Sequence, residues 1–321
     1  MTSVHLLVVG PPGIPGPLLT ADGRAGRVSL VCDTAELAAL PAADIPDAVL
    51  DFDSGADRFR IVEHAHERRE FTHVAAFDSR HTADAKIIAA RLGTRLYPDF
   101  TGAAIAAPVA EADLTGVRAI AVLLAEGGEI QPVALIGAPH GSEGGRRDAS
   151  ALPPAGIDDA LAAEFHDHAT RLARAAGLRS GLAVVTLHRA AETAVLAFDI
   201  GLPGPVLRSL IHRSTGIDLA ELAADQAVGL PVLDRVRAAV AGAPAPVCAR
   251  EIRIAGREPI AGIDAAEGFD GVRVEVDDHP GAEPGAARAV VWARAATAGA
   301  AAELAWRAAQ RLGAGPGSPG R

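Results

Sequence analysis

The sequence predicts two architectures in one chain. An α/β unit with an open parallel sheet comes first, followed by an α+β core with an antiparallel sheet and a small β-rich part. Three observations carry this reading. Over residues 1–97, short apolar runs alternate with segments of helical spacing, the order of parallel βαβ units. Over residues 98–242, strand-like runs come in consecutive pairs separated by short turns, with helices around them. Over residues 243–312, short strand-like runs recur before one last helix, and residues 313–321 (GAGPGSPGR) have the composition of a disordered tail.

Each element follows from local signals. Residues 4–9 (VHLLVV) form a strand, ended by Gly10-Pro11-Pro12-Gly13. Residues 18–21 open a helix. A second strand at 27–32 (RVSLVC) ends at Asp33, and 34–40 follow as a short helix. A third strand spans 47–52, and residues 58–69 have helical spacing at Ile61, Val62 and Ala65. Residues 72–77 (THVAAF) give the fourth strand. Residues 81–92 give the fourth helix, with Ile87, Ile88 and Leu92 as its apolar stripe. A strand at 117–124 (VRAIAVLL) turns at Gly127-Gly128 and returns through 130–136. Residues 139–154 read as a loop rich in Gly, Pro and charge. Residues 158–176 are an amphipathic helix carrying Leu161, Phe165, Ala169 and Leu172, with Gly177 as its C-cap. Two strands and further helices fill 177–229. Strands at 248–254, 271–276 and 289–296 precede a final helix over 300–312.

Composition bounds the function. With 321 residues the chain has room for two or three domains with proper cores. The hydrophobic share is 49% and the aromatic share 3%, so the cores are built from Ala, Val and Leu. A formal charge of −10 offers no bulk basic surface to displace counterions from nucleic acid, so no nucleic-acid partner is expected. Cys32 and Cys248 stand in unrelated segments without metal-site spacing and read as buried free thiols. The apolar run after Ser3-Val4-His5 is only strand length and has no basic flank, and no segment reaches the ~20 apolar residues of a membrane span. A cytoplasmic protein with no membrane partner is expected. Heavy use of Ala, Gly, Pro and Arg with a single lysine, Lys86, is the usage of a high-GC bacterial genome.

Residues 177–229 carry the sharpest pattern: Ala176-Gly177-Leu178, two strands, a helix, then Thr215-Gly216-Ile217-Asp218-Leu219 opening another helix. This outline resembles the end of the core of the ATP-grasp carboxylate–amine ligases. There a Gly-Leu turn leads into a strand bearing an acid. A second strand bears Glu-x-Asn-x-Arg, and Thr-Gly-hydrophobic-Asp-Leu follows a helix. Counted back from Thr215 without gaps, Ala197 stands for the Glu, Asp199 for the Asn and Gly201 for the Arg, while Val184 and Thr186 occupy the acid-bearing strand. A two-residue deletion would instead make Asp199 the first acid. In either register one magnesium ligand is lost. The resemblance also makes residues 1–97 a pre-ATP-grasp-like domain, ending in Ala-Arg-Leu-Gly at 90–93, and residues 98–242 a truncated ATP-grasp-like core. In the family a lid lobe with phosphate-binding lysines stands at this point. Here only the twenty residues 97–116 are available, too few for a packed lobe.

The first loop lacks both glycine fingerprints of nucleotide loops, and its prolines remove N–H donors. Asp33 stands where a dinucleotide fold places its ribose acid. His64 with His66, and His166 with His168, are spaced i, i+2, which turns them to different helix faces and reads as surface. Lys86 reads as a solvated helix lysine. His188, two residues beyond the lost acid, and His212-Arg213, ahead of the Thr-Gly turn, are the candidate ligand contacts. Asp199 is the one candidate metal ligand.

The reading that follows is a non-catalytic, lidless ATP-grasp-like scaffold without a cofactor. It would act as a binding partner of an active ligase or other enzyme in a bacterial biosynthetic pathway, or hold a small carboxylate or peptide. The alternative is an ATP-dependent carboxylate–amine ligase with a rewired site, using ATP and magnesium. A second alternative is an unrelated α/β small-molecule-binding protein.

Overall fold

Strand-forming runs on either side of residue 98 build two separate sheets. The computed structural model describes residues 4–14, 16–21, 24–41, 45–46, 48–52, 57–102, 116–138, 149–154, 156–190, 192–255, 260–277 and 286–312. The tail 313–321 lies outside them.

The first unit contains β1 (His5–Val9), α1 (Gly16–Thr20), β2 (Arg27–Asp33), α2 (Thr34–Ala38), β3 (Ala48–Phe52), α3 (Arg58–Arg68), β4 (His73–Ala75), a 3-10 turn (Ser79–His81), α4 (Thr82–Leu92) and β5 (Arg95–Tyr97). Its five strands are parallel, in the order β3-β2-β1-β4-β5. Leu7, Val9 and Val31 face Val62 of α3 and Ile88 of α4, while Leu6, Val8 and Leu30 face the rest of the molecule. Both faces are therefore covered, which explains why these strands read as continuous apolar runs.

The second sheet is antiparallel. It contains β6 (Asp99–Phe100), β7 (Val117–Glu126), β8 (Glu129–Ala138), β9 (Ala149–Leu152), β10 (Leu178–Arg189), β11 (Thr193–Ile200), β12 (Val247–Ala255), β13 (Val272–Asp277) and β14 (Ala286–Arg294). Its order is β11-β10-β7-β8-β9-β12-β14-β13, with β6 on β10. Helix α5 (Asp159–Ala175) covers one face through Phe165, Ala169 and Ala173, against Ala121, Leu123, Val185 and Phe198. Helices α6 (Pro205–Thr215), α7 (Leu219–Ala227) and α8 (Leu233–Val240) share a core with Val122, Leu124 and Leu182 of the other face and with the parallel sheet. Helices α9 (Ile263–Glu267) and α10 (Ala298–Ala309) cover the C-terminal strands.

Two local expectations are corrected. The segment 139–154 is not all loop, because β9 pairs with β12 from Ala149 to Leu152. Those four residues give too short a run to announce a strand, and their partner lies almost a hundred residues later. The strands of residues 243–312 join the core sheet through this same pairing.

A buried ionic cluster fastens the two units. Arg24, after α1, donates through Nε to Asp225 of α7 at 2.5 Å and through Nη2 to Glu221 at 3.2 Å. Arg235 of α8 bonds the other oxygen of Asp225. Arg24 is 6% exposed and Asp225 4%, so the two buried charges compensate one another, helped by Glu221 and Arg235 at the cluster's edge. Among the described residues, no helix is long and apolar enough to cross a membrane.

Candidate functional site

The strands β10 and β11 bring the four substituted positions together. Val184 pairs with Asp199 and Thr186 with Ala197. Alternation along each strand turns all four side chains to one face, opposite Val185, Phe198 and Ile200, which are buried under α5. The result is a square patch on the sheet face that α5 leaves free. Val184, Thr186 and Ala197 are half-buried and Asp199 is exposed. It carries a single carboxylate.

The fifth position is closed by packing. Gly201 has φ +148°, and a Cβ there would stand 2.9 Å from the Phe77 carbonyl oxygen and 3.1 Å from the Ser79 nitrogen. Its neighbour Leu202 donates from its backbone N–H to that same carbonyl at 2.8 Å. The end of β11 thus docks backbone-to-backbone on the first unit, where no arginine side chain fits.

This donor set does not fit ATP with magnesium. Magnesium at a triphosphate takes one or two carboxylates besides the phosphate oxygens, and further cationic groups must offset the phosphate charge. Asp199 is one carboxylate. Among the described residues, no cluster of three or more His, Cys, Asp or Glu could hold a metal. The lone lysine is committed elsewhere: Lys86 Nζ donates to the Thr101 carbonyl at 3.1 Å and lies 5.0 Å from the Phe100 ring centre. It is thus a tether at the end of β6, and not only a solvated helix residue. Beyond it, Gly102 bonds the Ala176 carbonyl at one end of β10, while Gly116 abuts the Arg189 carbonyl at the other end. Only residues 103–115 connect them.

The other sequence candidates are dispersed. His188 is 5% exposed, on β10 between Arg118 of β7 and Ala194 of β11, with Gly116 against its ring. His212 and Arg213 are in the last turn of α6 and line one open hollow of about 530 Å³ with Arg208, Ser209 and Asp218. Within it, Arg213 stacks on Trp292 at 4.6 Å and pairs with Glu275, which also accepts from Trp292 Nε1 at 2.7 Å. Arg208 donates to the Gly13 carbonyl at 2.7 Å, so the proline-rich first loop is clamped to α6.

Sequence reasoning missed a crevice at the carboxyl ends of β1 and β2. Order β3-β2-β1-β4-β5 reverses direction between β1 and β4, the position where open α/β sheets bind ligands. A cavity of about 240 Å³ lies there, lined by Gly10, Asp33, Glu36, Arg58, His81 and Asp84 among others. The protein fills part of this crevice itself. The His81 ring lies where a Cβ on Gly10 would stand, at 2.2 Å, and its Nε2 is 3.0 Å from Glu36. Gly10, at φ +76°, is the glycine that makes this possible. Asp33 is an N-cap. Its Oδ1 accepts from the Glu36 N–H at 2.7 Å, and the Glu36 side chain reaches back to the Asp33 N–H. Arg58 pairs with Asp84 at 2.6 Å. Among the paired histidines, His66 accepts from the Phe71 N–H at 3.0 Å. His166 is half-buried, and that burial lowers its pKa. Both thiols are buried, and burial pushes Cys32 up to about 11 and Cys248 to about 12, the inert state of a packed cysteine.

No family model matches the chain, and no curated protein matches it in sequence. Solved structures do. An L-amino acid ligase from Bacillus licheniformis superposes with a TM-score of 0.73 at 12% identity, over 97% of this chain and 98% of that one. N5-carboxyaminoimidazole synthase from Aspergillus clavatus gives 0.67 at 11%, over 96% and 98%. Glycinamide-RNase-transformylase T from Mycobacterium tuberculosis gives 0.63 at 18%, over 96% and 99%. The chain has an ATP-grasp-like fold.

Proposed function

We propose that this chain uses an ATP-grasp-like scaffold for binding and not for ligation. Its role is that of a partner to an active biosynthetic enzyme, or a holder of a small carboxylate or peptide. The carrying observation is the patch of Val184, Thr186, Ala197 and Asp199, with its edge closed at Gly201. Loss of an acid alone could be answered by another side chain nearby. Gly201 argues against such a repair, because the arginine position is occupied by main chain of Phe77 and Ser79. Redesign of that contact would require the two units to separate.

The second reading, an ATP-dependent carboxylate–amine ligase with a rewired site, draws on the end-to-end likeness to the L-amino acid ligase. Calorimetric titration with MgATP separates the two. Our reading expects no saturable binding up to about 10 mM, a free energy weaker than roughly 3 kcal/mol, in the wild type and in Asp199→Ala alike. Saturable binding with a Kd below about 1 mM that Asp199→Ala abolishes would establish the second reading in its place.

A further inference from the structure

We propose that the cavity at the amino ends of β1, β2 and β3 binds a small organic dianion, a phosphomonoester or a dicarboxylate. It lies at the opposite end of the parallel strands from the His81 crevice and stands independently of the function proposed above. Its volume, about 610 Å³, falls in the range of small-molecule sites.

The lining divides by chemistry. Arg27, at the start of β2, and Arg69, the C-cap residue of α3, bring two guanidinium groups to the cavity, and neither has an ion-pair partner among the described residues. His5, Ser29 and Thr20 add polar groups, and Pro17, Ile45 and Pro46 form an apolar wall. No Asp or Glu is among the described lining residues. Paired guanidinium groups suit planar or tetrahedral oxyanions, which they hold with charge-assisted forks. The apolar wall suits the carbon body of the ligand.

His5 forms the floor. Its Nε2 is 3.0 Å from Ser29 Oγ. The ring packs edge-on against Phe71 at 4.7 Å. Burial lowers its pKa, and the charges of Arg27, Arg69 and His66 lower it further. An anion between Arg27 and Arg69 would cancel their share, so the His5 pKa must rise when the site fills.

Ribose 5-phosphate and succinate are the probes, with sodium chloride at matched ionic strength as the blank. The expected result is saturable binding of at least one probe by calorimetry, with a Kd at or below about 1 mM, and an upward shift of the His5 pKa by NMR titration. Arg27→Gln and Arg69→Gln, both at exposed positions, should each weaken binding roughly tenfold. Arg60→Gln, exposed on α3 and outside the cavity, should not. Whichever probe binds more tightly identifies the head group. The proposal is overturned if neither probe saturates by about 10 mM, if sodium chloride reproduces the signal, or if both Gln variants bind as the wild type does. Asp199→Ala should leave this binding intact, so the outcome is separable from the MgATP titration.

Discussion

His5, His73 and His166 have their pKa values lowered from 6.5, in each case first of all by burial. A neutral imidazole is thus the folded form, and the unfolded chain takes up protons more readily. The stabilisation is fully present above pH 6.5 and is lost as pH falls through 6.5 toward the lowered folded values. Urea midpoints at about pH 7.5 and 5.5 should therefore separate in wild type, and less so in His166→Gln. An equal separation in both would show that His166 does not contribute. None of these three could be picked out in the sequence. The i, i+2 spacing of His166 and His168 correctly turns them to different faces, but spacing does not say which face is covered. The sequence reads His188 as a ligand contact and Asp199 as a metal ligand. Strand alternation does put them on one face, yet His188 is buried against Gly116 at the strand end while Asp199 is exposed.

At the scale of elements, α8 has an instructive start. Its N-cap is Val232, which offers no side-chain bond, and Glu126 at the end of β7 supplies it instead, accepting from the N–H groups of Val232 at 2.8 Å and Leu233 at 3.2 Å. Replacement of a capping acceptor costs about 1 kcal/mol, and a carboxylate near the helix dipole adds a few tenths. Glu126→Ala should thus lower unfolding stability by roughly 1–2 kcal/mol in urea melts, and Glu126→Gln by less. A neutral Ala variant would mean that water replaces the cap without loss. This device explains why α8 has no start signal of its own. Local patterns were sufficient for β1 to β4 and the helices between them, for the Gly127-Gly128 hairpin and for α5, where apolar spacing and caps coincide, but not for the three-residue β5, which pairs with β4. They were insufficient for β6 and β9, whose few residues gain order only from distant partners, Leu178 and Val247 to Arg250 respectively. The count back from Thr215 names four residues, and the pairing of β10 with β11 does bring Val184, Thr186, Ala197 and Asp199 side by side. The crevice under His81 needed the strand order, which the sequence does not print.

For the whole molecule, the Arg24–Asp225–Glu221–Arg235 cluster makes the units one body. Removal of one member of a buried pair leaves an uncompensated charge and typically costs about 3–5 kcal/mol. Asp225→Ala should therefore destabilise the protein by that order in denaturant melts, and the first unit should lose its coupling to the rest. A single coincident transition, weakened by under about 1 kcal/mol, would place the coupling in the apolar core instead. Arg24→Met with Asp225→Leu should recover much of the loss. The same pair also imposes an order on synthesis. Arg24 and Asp225 stand 201 positions apart, and Arg208 reaches Gly13 across 195. At about 5–20 residues per second on the ribosome, the parallel sheet, complete at Tyr97, waits roughly 6–26 s for Asp225. Over that interval the nascent chain holds an uncovered apolar sheet face. A chaperone would find a binding surface there until α7 emerges.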